Sequence, residues 1–304
     1  MSGPLTLLLN RYSGPVTLID VGARWGVHHR WSPLADRAII IGFEPDADEC
    51  ARLNADSPLY ISYLPIGLAD EDGERDLYIT REPACSSNHP PIETLYQHYA
   101  GLDCTTLERV VRMRCRRLDD VLRERGVSDV AAMKLDTQGS ELSILKGSIE
   151  ALKTCAIIDI EVEFNPIYAG QALFCDLDRW MRDNGFVLWR LENLEHYATE
   201  EIPMARTSFV VGAPPAQNAA ASVSNGQVFW AQAQYVRAEY PQTGAAQMPF
   251  DQAIRPAILC GLYGFWDLAI ELIRKTGDIE LLNSLRGACG LAPVSPEGAG
   301  LRIA

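Results

Sequence analysis

From residue 16 to about residue 190 the chain alternates short, β-branched apolar runs with amphipathic helical stretches. That alternation predicts a largely parallel sheet flanked by helices, because a parallel pair needs a long crossover and buries both faces. Strands are expected at 16–19, 38–43, 59–66, 130–136, 156–164, 186–191 and 207–211, about seven in all. Further strands are expected at 77–79 and 111–115. Asp46, with Glu49 three residues later, opens a helix running to about Asn54. Leu142, Leu145, Ile149 and Leu152 stripe another helix, as do Leu173, Leu177, Trp180 and Met181 before Gly185.

Length and charge narrow the field. The 304 residues carry 27 Lys and Arg against 40 Asp and Glu, a formal charge of −13. Such a balance argues against general affinity for nucleic acid or anionic membrane. The eight cysteines are scattered with no C-x-x-C pair, so they read as buried thiols of a reducing compartment and not as a zinc or redox motif. The apolar run at 256–266 is too short for a membrane span, and residues 5–9 make no signal sequence, so a cytoplasmic location is expected. Residues 213–226, rich in Ala, Pro, Asn and Ser, read as a linker between residues 1–212 and a helical extension at 227–304.

Ligands of open α/β sheets bind beyond the carboxyl ends of the strands. There the sequence places Asp20, Glu44, Asp70, Asp136 and Glu161, all acidic. A dinucleotide fingerprint starting at Gly22 needs glycine at positions 24 and 27, which hold Arg24 and Val27. What remains is D-x-G-x-x-x-G, with Asp20 ahead of Gly22 and Gly26. Glu44 ends the second strand, where an acid accepts hydrogen bonds from ribose hydroxyls. S-adenosylmethionine suits this pattern. Its ammonium and sulfonium favour nearby carboxylates, its own carboxylate can take backbone N–H groups at the glycine turn, and it has no pyrophosphate requiring a third glycine.

Five segments then occur in a fixed order: D-V-G-A-x-x-G from Asp20, G-F-E-P-D from Gly42, G-L-A-D-E-D-G from Gly67, K-L-D-T-Q-G-S-E-L-S-I-L-K-G from Lys134, and E-V-E-F-N-P-I-Y from Glu161. Together they resemble the FkbM family of S-adenosylmethionine-dependent methyltransferases over roughly residues 16–212. The resemblance implies a class I, Rossmann-like sheet in the order 3-2-1-4-5-7-6, with the seventh strand antiparallel. It also implies O-methylation of sugar or polyketide hydroxyls. Carried over by position, Asp20, Gly22 and Gly26 frame the methionine part of the cofactor, Glu44 holds the ribose, Asp70 lies near the adenine, and Asp136 sits beside the sulfonium and the acceptor. Arg24 and Trp25 depart from the small or Asn residues usual in the first loop.

Methyl transfer to a hydroxyl needs alignment and a base. The fifth strand sets Asp159, Glu161 and Glu163 on one face, and three adjacent buried carboxylates require partners or a polar cavity. Asp136 and Glu161 are taken as the site carboxylates, one as base or acceptor-orienting group. No metal ligand set is assigned; His28 and His29 are read as one half-buried and one exposed histidine. Arg112, Arg114 and Arg116 share a strand face that could grip an anionic acceptor, but a solvated edge strand is preferred. The expected partner is a small molecule or glycan with a free hydroxyl. The C-terminal helices are open to capping the site, pairing two copies of the chain, or recognising a partner. Two other functions stay open: a non-catalytic module of the same fold, and a nicotinamide oxidoreductase, which Arg24 and Val27 disfavour.

Overall fold

The computed structural model describes residues 3–199, 226–241 and 247–295. Seven strands form one mixed sheet: β1 (Val16–Val21), β2 (Ala38–Phe43), β3 (Ile61–Leu64), β7 (Ala132–Leu135), β8 (Ile157–Glu163), β9 (Phe186–Tyr197) and β10 (Gln227–Arg237). Their spatial order is β3-β2-β1-β7-β8-β10-β9. Neighbours from β3 to β8 pair in parallel, and β10 runs antiparallel to both β8 and β9. Numbered by appearance within this sheet, that is the expected 3-2-1-4-5-7-6.

The seventh strand is not where the sequence reading put it. The run at 207–211 lies outside the described residues, as does the linker up to residue 225. Residues 227–237, assigned to a helical extension, instead fill the slot between β8 and β9. The C-terminal helices therefore begin at α8 (Phe250–Leu262) and continue through α9 (Trp266–Thr276) and α10 (Ile279–Ala288). They pack on the chain's own sheet. Ile254, Ile258, Leu268, Leu272 and Leu285 share one buried cluster with Leu18 of β1, Ala132 of β7, Ile157 of β8 and Val236 of β10. The physical reason is local. The β1–β2 connection carries only a short 3-10 turn, His29–Leu34, so the sheet face beside β1 gets no crossover helix there. The C-terminal helices, with α1 (Pro4–Leu9), supply that apolar cover. The opposite face is closed by a second cluster that includes Ile144, Leu145, Leu152, Leu177 and Met181 from the crossover helices.

A smaller sheet of β4 (Gly67–Leu68), β6 (Leu107–Arg116) and β5 (Gly73–Thr80), in that order, stands beside the main one. β6 is its middle strand, a correction to the edge position expected. Its arginines face acids across the ladder: Arg112 donates to Asp76 at 2.7 Å, and Arg116 donates to Asp72 at 2.8 Å and Glu124 at 2.7 Å. Arg112 and Arg116 therefore already have acidic partners on this face. Among the described residues no helix is long and apolar enough to cross a membrane.

Candidate active site

Cross-strand register builds the site. Asp20 of β1 stands opposite Lys134 of β7, Lys134 opposite Asp159 of β8, and Asp159 opposite Gln234 of β10. Paired residues point to the same face of a sheet, so these four side chains make a polar row across four strands. One step toward the carboxyl ends, Glu161 pairs with Gln232, and Gln232 with Glu192 of β9. The same strands bury Leu18, Ala132, Ile157 and Val236 on this face lower down. The face is thus apolar beneath the C-terminal helices and polar toward the strand ends. There a cavity of about 1160 Å³ opens, lined among others by Gly22, Glu44, Lys134, Asp136, Asp159, Glu161 and Gln234.

The first loop is tightly tied. Gly22 has φ +79°, and a Cβ there would stand 1.9 Å from the carbonyl oxygen of Asp136. Only glycine allows β1 and β7 to release their loops so close together. Gly26, at φ +91°, turns the chain back so that the Val27 N–H donates to the Tyr63 hydroxyl at 3.1 Å. The N–H groups of Gly22 and Ala23 both donate to the Phe43 carbonyl at 3.1 Å, and the His28 N–H donates to Asp20 at 2.8 Å. The glycine turn therefore has fewer open donors than expected: Arg24 and Trp25 alone, between residues 22 and 28, have N–H groups without a partner among the described residues.

The sequence-assigned residues separate into three positions. Gly22, Glu44, Asp136 and Glu161 line the cavity. Asp20 and Gly26 stand behind it; Asp20 is fully buried and orients the loop through His28. Asp70 is not brought to the cavity. Its carboxylate takes the Arg75 guanidinium at 2.7 Å and the Ser143 hydroxyl at 2.8 Å, fastening the second sheet to the helix Glu141–Lys146. The strand before it ends at Leu68, which does line the cavity, so the chain has already turned away when it reaches Asp70.

Electrostatics divides the carboxylates. Burial opposes charge on Asp136, but Lys134 at 3.3 Å, with hydrogen bonds from neighbouring groups, outweighs it and holds the carboxyl below its ordinary range. Burial also opposes the Lys134 ammonium, yet Asp136 and Asp20 keep it charged. Glu161 is pushed well up by burial and then by the negative charge of Asp136. Asp159 rises to about 7, chiefly through burial, against the pull of Arg30 and Lys134. His28 falls to about 3 through burial and the nearby Arg30 and Lys134, so its imidazole is neutral. His28 is half-buried and His29 exposed, as read from the sequence.

Gln138 was passed over in the sequence. Its Nε2 donates to Asp136 at 3.2 Å and also to Glu161, so one amide bridges the two carboxylates. Its backbone sits at φ 58°, a conformation rare for a residue with a side chain. The Ser87 hydroxyl holds that geometry by donating to its carbonyl at 2.6 Å. Ser87 belongs to the connection between β5 and β6, which carries the helix Glu93–His98 and two 3-10 turns and is anchored to the site. Asn88 accepts from Ser140 at 2.7 Å, and the Tyr168 hydroxyl donates to the Cys85 carbonyl at 2.6 Å. The T-Q-G step before the helix was the available signal, since a glycine after a polar residue marks a sharp backbone turn.

The cavity fits a sulfonium nucleoside. Glu44 is buried, and the Asp46 N–H fixes its Oε1 at 2.9 Å, which presents a rigid carboxylate at the lip. Phe43, Ile66, Leu68 and Ile144 give that end apolar walls for a base. Arg24 stands over Glu44 at 3.7 Å, near enough to meet a carboxylate group.

The chain is 24 % identical over 160 residues to the 2-O-methyltransferase NoeI of Sinorhizobium fredii, covering 51 % of this chain and 66 % of that protein, just under two thirds of its length. It is 24 % identical over 199 residues to the hexuronic acid methyltransferase AglP of Haloferax volcanii, covering 62 % and 76 %. Among solved structures, magnesium protoporphyrin IX methyltransferase from Synechocystis aligns over 77 % of this chain and 76 % of that one, at 10 % identity and a TM-score of 0.35. The methyltransferase FkbM domain model matches residues 20–188, more than half of the chain. The chain belongs to the FkbM family of methyltransferases, whose methyl donor is S-adenosylmethionine.

Proposed function

We propose that the protein transfers a methyl group to a hydroxyl of a sugar or glycan. The observation that carries this reading is the Asp136–Gln138–Glu161 bridge in the cavity wall, in which one carboxyl is held below its ordinary range and its neighbour well above it. The two relatives, named for 2-O-methylation and for a hexuronic acid, point to the same class of acceptor. When bound, S-adenosylmethionine supplies a methyl carbon already activated by its sulfonium. Everything else falls to the protein's own groups.

Glu44 is assigned the ribose hydroxyls, and the bend from Gly22 to Gly26 the methionine part, with Arg24 facing its carboxylate. Asp20 is a positioning residue that acts through His28. Asp70 takes no part in this assignment. On the acceptor side, Asp136 keeps 32 % of its side chain exposed and can reach a hydroxyl. As the acceptor oxygen forms its bond to the methyl carbon and the sulfur–carbon bond breaks, the hydroxyl proton passes to the Asp136 carboxylate. Glu161, through the Gln138 amide that bridges the two groups, holds that carboxylate in place. A base in this position is worth about 10²–10⁴ in rate.

The test is methyl transfer from labelled S-adenosylmethionine to a panel of neutral and amine-bearing glycosides. Wild type is expected to label at least one, and Asp136→Asn to lose about 10²–10⁴ of that turnover while S-adenosylhomocysteine still binds. Unchanged turnover in Asp136→Asn and Glu161→Gln would remove the roles assigned to these two residues, and no labelling by a folded wild type that binds S-adenosylhomocysteine would favour a module that only binds.

A further inference from the structure

Deep in the cavity, away from the glycine bend, two side chains lack what burial normally demands. Oδ1 of Asp159 and Oε1 of Gln234 have no hydrogen-bond partner among the described residues, though the residues are only 3 % and 1 % exposed. They are cross-strand partners, and both line the cavity. The orientation of Gln234 is fixed, because its Nε2 donates to Glu192 at 2.8 Å and leaves the oxygen turned elsewhere. The nearby cations do not serve these atoms: Arg30 donates to Glu192 at 3.1 Å and Lys134 to Asp136 at 3.3 Å. Two adjacent buried oxygens without a hydrogen-bond partner are uncommon in a folded protein, where more than nine in ten such groups are satisfied.

We propose that this recess receives a protonated primary amine carried by the methyl acceptor, so that the acceptor is an amine-bearing sugar. The inference rests on the methyl-transfer reading above. A hydroxyl has one hydrogen to donate and satisfies one of the two oxygens; an ammonium has three and satisfies both. The surroundings favour the same sign. Nine of the described cavity-lining residues are Asp or Glu, against three Lys or Arg. An anionic acceptor such as a uronate would bring a further negative charge beside Asp136 and the raised carboxyls of Asp159 and Glu161. The amine of the cofactor is not the expected occupant. Gln234 stands three strands from the glycine bend, about 14 Å at ordinary inter-strand spacing.

The experiment titrates the wild-type protein with methyl aminoglucosides bearing the amine at different ring positions, with their N-acetylated counterparts, and separately with S-adenosylhomocysteine. At least one amine should bind about tenfold tighter than its acetylated counterpart, the usual worth of a charge-assisted hydrogen bond. That ratio should fall to about one in Asp159→Asn. It should also fall in Gln234→Leu, which carries the test if the first variant does not fold. No amine preference in wild type, or a preference that survives in a folded Asp159→Asn, overturns the proposal. If S-adenosylhomocysteine binds while no amine is preferred, the recess assignment fails and the methyltransferase reading stands. An amine preference without S-adenosylhomocysteine binding supports the recess and removes the methyl-transfer reading.

Discussion

The two halves of the cavity are built differently. On the β1–β2–β7 side most polar groups already have a protein partner, although Oδ1 of Asp20 takes no hydrogen bond among the described residues and burial raises the Asp20 and Glu44 carboxyls too. Asp20 holds His28, Glu44 holds Asp46, Lys134 holds Asp136, and the N–H groups of Gly22 and Ala23 share one carbonyl. On the β8–β10–β9 side, Asp159, Glu161 and Glu163 are buried with their carboxyls pushed above the ordinary range, and Asp159 and Gln234 each keep an acceptor without a donor. The first half is a preorganised seat and the second an unsatisfied one. A site that always takes the same cofactor can be fully braced before that cofactor arrives. A site completed by its acceptor must leave polar atoms for the acceptor to meet, at a cost in stability.

Four changes test this contrast, beginning with the one expected to matter most. Lys134 is the cation that holds the Asp136 carboxyl below its ordinary range and opposes the rise that burial imposes on Asp20. Lys134→Met strands Asp20 and Asp136 and should lower unfolding stability by about 3–5 kcal/mol, measured by denaturant titration near neutral pH. A loss no larger than that of a surface substitution would show that the row is not a coupled unit.

The unsatisfied half should be marked by pH. The Asp159 carboxyl titrates near 3.8 in the unfolded chain and at about 7 in the fold, so between those values the native state binds more protons. Its contribution is present at acidic pH and is lost as pH rises toward and through 7. The full effect is at most roughly 4 kcal/mol. In Asp159→Asn this part of the slope should vanish, so that the variant gains on wild type between pH 5 and pH 8 in thermal unfolding. A parallel pair of pH profiles would contradict the assignment.

Glu44→Ala removes the braced carboxylate at the lip. Affinity for S-adenosylhomocysteine should drop about tenfold by calorimetry, the worth of a hydrogen bond to a charged group, with stability little changed. Arg24→Ala should have the smallest effect. Its pairs with Asp46 at 3.4 Å and Glu44 at 3.7 Å are long and partly exposed. A change of about threefold or less in the same affinity is expected; a larger loss would make Arg24 a principal cofactor ligand.

Much of the braced half was legible in the chain, because it lies where strands end. An acid or glycine directly after an apolar run can be placed at the carboxyl lip with no knowledge of what surrounds it, and Gly22, Glu44 and Asp136 were located that way. Asp70 failed the same logic because its strand stops two residues earlier. The unsatisfied half depended on long-range pairing. Residues 227–237 do alternate, with Phe229, Ala231, Ala233 and Tyr235 inward on one face and Trp230, Gln232 and Gln234 on the other. The Ala and Gln residues have weak strand preference, and the segment follows a stretch that reads as a linker. With β10 misassigned, the partners of Asp159 and Glu161 could not be named. Gln138 was hidden for another reason: its role depends on a left-handed backbone fixed by Ser87, some fifty residues earlier in the chain.

The account depends most on where the nucleoside sits. A crystal structure of the protein with S-adenosylhomocysteine tests that directly. The account predicts the ribose on Glu44, the methionine part along the bend from Gly22 to Gly26, the sulfur facing Asp136, and the recess at Asp159 and Gln234 clear of the nucleoside. Density for the nucleoside over Asp159 and Gln234, or none between Gly22 and Glu44, would contradict it.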